Sequence, residues 1–393
     1  MYEQELVSEL GRQDPVSAAK EVLKFDGILD PDEGLWFEND FVSGTGNDKQ
    51  VPWARGAWFN WNPFAVGTYQ NGYNWVPHEF GDFVLNKTAV ISKQNDSEAV
   101  APFYTFKTYN ANKIKRVVIV LAGQWRNAWV HINLMGNALN VAKKYDSLNV
   151  EDDSVLLMSP MFFNQLDRQR GSCKGREISF EDAGWSAGGT VREPKSFNNI
   201  SSFDVLDFLI DMVMDKSKFP HLKNVVVAGH SMGGQMAFHY AATKKPMAYD
   251  NKISYWVGDP GSYLYMNSSR PFYTKDCDNY NDWPYSVTNV DTLPKYARGH
   301  AGTNGSNLVN LFRSRKLHFA IAENDNGAGV TSCAAQTQGP NRIARGTEWI
   351  IAQGNSTHGW PSQHTLDYMP GISHQDYPAM AYYFSMKHLF SDA

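Results

Sequence analysis

Gly229-His230-Ser231-Met232-Gly233 places a serine midway between two glycines. The apolar run Val225-Val226-Val227-Ala228 precedes it, and Gly234-Gln235-Met236-Ala237-Phe238 follows as a stretch of mostly small and apolar residues. A strand that turns sharply into a helix exposes such a serine's hydroxyl for nucleophilic attack. The glycines remove Cβ atoms that so tight a crossing would force together. The helix then aims the positive end of its dipole at the reacting centre. A second G-x-S-x-G, Gly184-Trp185-Ser186-Ala187-Gly188, lies between charged stretches with neither a strand before it nor a helix after it. Ser231 is the nucleophile candidate, and Ser186 reads as a turn serine.

A serine hydroxyl is a weak nucleophile at neutral pH and needs a histidine to take its proton and a carboxylate to orient that histidine. In the α/β-hydrolases, whose nucleophile turn this stretch resembles, the chain order is serine, acid, histidine. The strand pattern His318–Ala322 runs into Glu323-Asn324-Asp325-Asn326-Gly327, which makes Asp325 the expected acid. Glu323 and Asp259, the latter in Gly258-Asp259-Pro260, are its rivals. Glu348–Ala352 reads as the last strand, and the loop Gly354-Asn355-Ser356-Thr357-His358-Gly359 after it presents His358 as the expected base. His364 and His374 read as surface or cap residues, and His239 as a packing residue. His230 also reads as packing, with one ring nitrogen satisfied. The oxyanion is expected to take the backbone N–H of Met232 and a second from Gln124 or Trp125. Trp125, His230, Tyr263 and Trp360 are the candidates to line a substrate pocket.

The elements that must hold these residues alternate. Antiparallel strands are expected at Phe83–Leu85, Ala89–Ile91 and Phe103–Thr108. Strands at Arg116–Leu121, Ser154–Ser159, 224–228 and Ile253–Val257 then interleave with helices at Val130–Tyr145, Ser201–Lys216 and 232–243. A last helix is expected at Tyr377–Phe390, and a short one at 14–25 with Asp14 as cap and Pro15 at its first position. This is an α/β pattern, a mostly parallel doubly wound sheet with its site at the carboxyl ends of the strands. Residues 1–80 form an aromatic-rich segment, with Trp36, Trp53, Trp58, Trp61 and Trp75, expected to pack irregularly on the core. The core is then 81–257 and 316–393, with 258–315 inserted as a cap or lid.

With these motifs in place, the chain resembles the α/β-hydrolases over roughly residues 100–390. It is similar in particular to a group of fungal and bacterial members with an HGAGRNA-like loop after the third strand, where this sequence has Ala122-Gly123-Gln124-Trp125-Arg126-Asn127-Ala128. The stretches Gly258-Asp259-Pro260-Gly261-Ser262-Tyr263-Leu264-Tyr265 and Gln338-Gly339-Pro340-Asn341-Arg342-Ile343-Ala344-Arg345-Gly346 carry the likeness further. The resemblance implies an α/β-hydrolase fold and a Ser231, Asp325, His358 triad. The departures are Ala122 for the family's histidine and Trp125 for a small residue.

Composition narrows the partners. The net charge is −5 with no basic run, which argues against nucleic acid. No apolar run approaches the length of a membrane span. No zinc, phosphate-loop or calcium-loop pattern survives inspection, so no metal and no cofactor are expected. Six N-x-[ST] sequons (Asn86, Asn95, Asn199, Asn267, Asn304, Asn355) and the abundance of Gly, Asn and aromatics suit a secreted glycoprotein, a cytoplasmic enzyme being the alternative. Of Cys173, Cys277 and Cys333, the last two are the pair expected to bond. The expected reaction is hydrolysis of a small-molecule carboxylic ester or lactone through an acyl-enzyme. Abundant aromatics point to a bulky or aromatic substrate. An amidase or peptidase is the enzymatic alternative, and an inactive binding protein of the same fold the other.

Overall fold

A computed structural model describes residues 2–25, 27–29, 63–272 and 276–392. The expected aromatic segment lies largely outside the described residues. Of its five tryptophans only Trp75 is described, half-exposed on the short strand Gly72–Trp75.

Nine strands form one mixed sheet. In chain order they are β1 (Glu79–Phe80), β2 (Phe83–Asn86), β3 (Phe103–Phe106), β4 (Arg116–Leu121), β5 (Val155–Pro160), β6 (Asn224–His230), β7 (Ile253–Gly258), β8 (Lys316–Ala322) and β9 (His364–Met369). They lie side by side as β9-β8-β7-β6-β4-β5-β3-β2-β1. Strands β4 to β9 are parallel, and β1 to β3 add an antiparallel edge. Parallel strands are covered on both faces, so their sequences are continuous apolar runs rather than alternations. Every residue of β4 and β5 is buried. Val117, Ile119 and Leu121 enter one core, while Val118 and Val120 enter the other. Each such side chain contributes about 1.5–3 kcal/mol by leaving water.

Helix α1 (Ala128–Ala142) and the C-terminal segment close one face. Helices α2 (Ser202–Met214), α3 (Met232–Thr243) and α4 (Arg342–Gly354) close the other. Helix α2 begins where its capping box dictates. Ser201 Oγ accepts the Phe203 N–H, and Asp204 accepts the Ser201 N–H at 2.7 Å. Asp14 likewise caps the helix Pro15–Val22.

Two expected strands fall elsewhere. Val90–Gln94 pairs with Ser97–Val100 as a separate hairpin, so β2 bonds directly to β3. Residues 348–352 lie inside helix α4, not in a strand. Asn341 caps that helix by accepting the Ala344 N–H, and Ile343, Thr347 and Ile350 recur on its buried face. The run Trp349-Ile350-Ile351-Ala352 is equally apolar in either conformation, and the cap decides. The last strand is therefore β9. The expected terminal helix breaks into the short helix α5 (Asp376–Met380), the turn Tyr383–Met386 and a π-helical turn at Lys387–Ser391.

Within 258–315, short helices precede Ser306–Ser314, and Leu264, Tyr265, Val287 and Leu293 are buried in the first core. A Cys277–Cys333 disulfide, with Cα atoms 5.7 Å apart, ties this stretch to the loop that follows Asp325. Cys173 is a buried thiol. Among the described residues no helix is long and apolar enough to cross a membrane.

Candidate active site

Ser231 sits at the turn between β6 and α3 with φ 58° and ψ −124°, a conformation costly for any residue with a Cβ. The residues two positions to either side must be glycine. A Cβ on Gly229 would lie 2.2 Å from the Gly233 carbonyl carbon, and one on Gly233 would lie 2.5 Å from the Leu121 oxygen. The turn is pinned by the Ser231 N–H donating to Gly258 O at 2.9 Å. Helix α3 therefore starts directly against the ends of β4, β6 and β7. Ser186, by contrast, is buried in a 3-10 turn where its hydroxyl donates to Ala183 O.

The Ser231 hydroxyl donates to His374 Nε2 at 2.8 Å, and His374 Nδ1 donates to Asp325 Oδ2 at 2.7 Å. All three lie beyond the carboxyl ends of parallel strands of the one sheet. Ser231 follows β6, Asp325 follows β8, and His374 follows β9. Burial pushes the Asp325 carboxyl up, but the facing His374 and the Arg342 guanidinium outweigh it and hold it below the ordinary carboxylate value. Arg342 Nη1 donates to the other oxygen, Oδ1, at 3.0 Å. Asp325 thus presents one oxygen to the imidazole and has its second neutralised.

His358 takes no part in this cluster. It is exposed in the turn before β9, at the amino ends of the parallel strands, and its carbonyl accepts from Arg313. Ser231 stands at the carboxyl ends, across the sheet. The difference has one cause: residues 348–352 are helical, so the loop after the last strand lies one element later than the apolar run implies. A sequence signal for the right loop existed in Thr365-Leu366-Asp367-Tyr368-Met369, β-branched and aromatic residues closed by Gly371 and followed by His374.

Other candidates are redistributed. Asp259 does not reach His374; its Oδ1 accepts the Ala322 N–H at 2.6 Å and its Oδ2 meets His230 Nε2 at 3.2 Å. Tyr263 is fully buried against Phe238 and Trp349. Trp360 packs on Trp349 and Phe319 and donates to His364 O, again at the amino ends of the strands. His364 begins β9 and is buried against Phe312, which pushes its imidazole down to about 3. His239 is a buried α3 residue bonded to the Ser186 carbonyl. His230 is fully buried, with both ring nitrogens bonded to carboxylates.

The loop after β4 lies against the nucleophile turn, since a Cβ on Gly233 would also approach the Ala122 oxygen to 2.8 Å. The Gly123 N–H is taken by His131 Nε2 at 3.0 Å, so Gln124 and Trp125 are the next amides along. Arg126, at φ 54° and buried, bonds Asp167 through Nε and Nη2 and reaches the Tyr69 carbonyl. Those bonds hold Tyr69 stacked on Trp125 with ring centres 5.8 Å apart. Tyr73 also donates to the Trp125 carbonyl at 2.8 Å. Trp125 is thus a fixed, half-exposed ring on the oxyanion loop. Among the described residues no cluster of His, Cys, Asp and Glu is arranged to hold a metal ion.

Glu323 is a buried acid without a partner. It is 2% exposed, and neither carboxylate oxygen has a hydrogen-bond partner. Burial raises its carboxyl from 4.5 to about 9. The unfolded chain releases this proton above its ordinary value while the folded chain keeps it. Stability contributed by this group is therefore complete at low pH and declines as pH rises towards 9. The expected slope is at most about 1.4 kcal/mol per pH unit. Glu323→Gln should remove that decline, so the variant's advantage in urea unfolding grows between pH 5 and 9. An equal difference at both pH values would show that Glu323 is already ionised in the fold.

The sheet order, the strand–turn–helix at Ser231 and the placement of the site at the carboxyl ends define the α/β-hydrolase fold. The solved structure of poly(aspartic acid) hydrolase-1 from Sphingomonas sp. KT-1 matches with a TM-score of 0.51 at 17% identity, covering 74% of this chain and 94% of that one. The poly(3-hydroxybutyrate) depolymerase LpqC from Bordetella parapertussis gives a TM-score of 0.48 at 17% identity, over 76% of this chain and 85% of that one. No family model and no curated protein sequence matches the chain.

Proposed function

We propose that this chain is a serine hydrolase that cleaves a carboxylic ester or lactone through an acyl-enzyme. The observation that carries the reading is the unbroken hydrogen-bond chain from Ser231 through His374 to Asp325. Ser231 Oγ attacks the carbonyl carbon while His374 Nε2 takes the hydroxyl proton. The tetrahedral intermediate collapses as His374 returns that proton to the leaving alkoxide. Water then repeats the sequence on the acyl-enzyme, with His374 again as base and acid. Asp325 keeps the Nδ1–H of His374 directed towards itself, so that Nε2 faces the serine. The first-turn N–H of Met232 has no partner within its helix, and with that of Gln124 or Trp125 it is placed to receive the oxyanion.

The reading is tested with a fluorophosphonate probe, which phosphonylates an activated serine. The expected result is a single adduct mapped by peptide mass spectrometry to Ser231. A folded protein that stays unlabelled would exclude it. Asp325→Asn separates orientation from nucleophilicity. The amide can no longer accept from Nδ1–H, so the wrong tautomer is favoured and turnover of a p-nitrophenyl ester should fall about 10⁴-fold. If Asp259→Asn has that effect and Asp325→Asn does not, the acid is Asp259.

A further inference from the structure

We infer that His230, the residue before the nucleophile, is a positioning residue that latches the His374 loop onto the nucleophile turn. The inference rests on the serine-hydrolase reading above.

His374 lies in the loop between β9 and α5, with Gly371 at φ 72°. Backbone bonds tie that loop to its surroundings near the histidine. Ile372 O accepts the Asn324 N–H at 2.9 Å, and Gln375 N–H donates back to Ser373 O. Asp376, two residues beyond His374, makes the connection to the nucleophile turn. Its Oδ1 accepts from His230 Nδ1 at 2.5 Å. On the other side, His230 Nε2 meets Asp259 Oδ2 at 3.2 Å, and Asp259 Oδ1 holds the Ala322 N–H at the end of β8. One imidazole therefore joins the ends of β6, β7 and β8 to the loop that carries the base. A residue of this length can do so because it is fully buried and both ring nitrogens point at carboxylates.

Two donors to two carboxylates require a doubly protonated ring. Burial opposes that charge, but Asp376 and Asp259 outweigh it and raise the imidazole to about 10. The ring centres of His230 and His374 are 4.8 Å apart. A cation at His230 thus faces the imidazole that must itself become positive during catalysis. Asp325, Asp259 and Asp376 face the two imidazoles from the ends of β8, β7 and the start of α5. His131 approaches from α1, with Nε2 3.7 Å from Asp376 Oδ1, and Arg342 approaches from α4 through Asp325. The carboxylates outnumber the imidazoles directly bonded to them, so this surrounding still accepts the second positive charge.

The latch and a merely structural histidine differ in what they do to the pH profile. In His230→Gln the cation is lost and its carboxylates remain, so the acid limb of fluorophosphonate inactivation should move up by about one pH unit. In Asp376→Asn a negative charge is lost while Asp259 still holds the His230 cation, so the limb should move down. Both variants should lose about 10- to 100-fold in kcat on a p-nitrophenyl ester with KM within a few-fold, because a base displaced by about 1 Å costs that much. Packing damage alone predicts no such opposition of sign. Limbs that move the same way, or stay put, overturn the inference, as does kcat within two-fold of the parent. Should His230→Gln fail to fold, the isosteric Asp376→Asn decides alone by the downward limb and the lost kcat. Failure of the parent protein to label at Ser231 instead sinks the serine-hydrolase reading itself.

Discussion

Ser231→Ala is expected to lower turnover of a p-nitrophenyl ester about a millionfold and to abolish fluorophosphonate labelling. The only atom removed is Oγ, and no other group can replace it. Ser186 is buried in a turn with its hydroxyl committed to Ala183 O. Residual activity over water should survive, since the oxyanion amides and the binding surface are untouched. The fold should survive as well. Alanine at φ 58° carries the same Cβ strain that serine does, and the pinning bond from the residue's N–H to Gly258 O is a backbone bond. The unfolding midpoint should therefore move by less than about 2 °C. Full activity in the variant would assign the chemistry to another residue.

His374→Ala should cost nearly as much, about 10⁵- to 10⁶-fold, and the double variant with Ser231→Ala little more than either alone. The two residues act as one unit, so their effects do not add. Asp325 remains paired with Arg342 at 3.0 Å in this variant, which spares the fold an uncompensated buried charge. The comparison with His358→Ala gives the experiment its force. His358 is exposed, and among the described residues only its backbone carbonyl bonds another, Arg313. Its loss should leave turnover within two-fold. The reverse outcome, with His358 essential and His374 dispensable, would mean that the strand order at β9 is wrong.

Much of this site was legible in the chain because its demands on the backbone are local. The run Val225–Ala228, the flanking glycines and the helix after them are consecutive, and each is required by close approach at one turn. Asp325 follows a strand whose apolar run is clear, and the Cys277–Cys333 pair joins two segments as expected. The histidine was not legible in this way. Trp349-Ile350-Ile351-Ala352 is apolar enough for a strand, and only the Asn341 cap and the spacing of Ile343, Thr347 and Ile350 make it a helix. An error of one element moves a loop from one end of a parallel sheet to the other. That is how His358 displaced His374.

What the sequence by itself determined is the α/β class and the candidates for nucleophile and acid, because strand, turn and helix each leave a short-range pattern. Only the tertiary structure decided the base and its surroundings. His374 reaches Ser231 across 143 residues, and Asp376 reaches His230 across 146. Contacts of that separation come from the order in which parallel strands stack and from side chains bonding in a dry interior. Neither leaves a period or a spacing along the chain. His230 reads as an ordinary packing residue until the carboxylates on either side of it are seen.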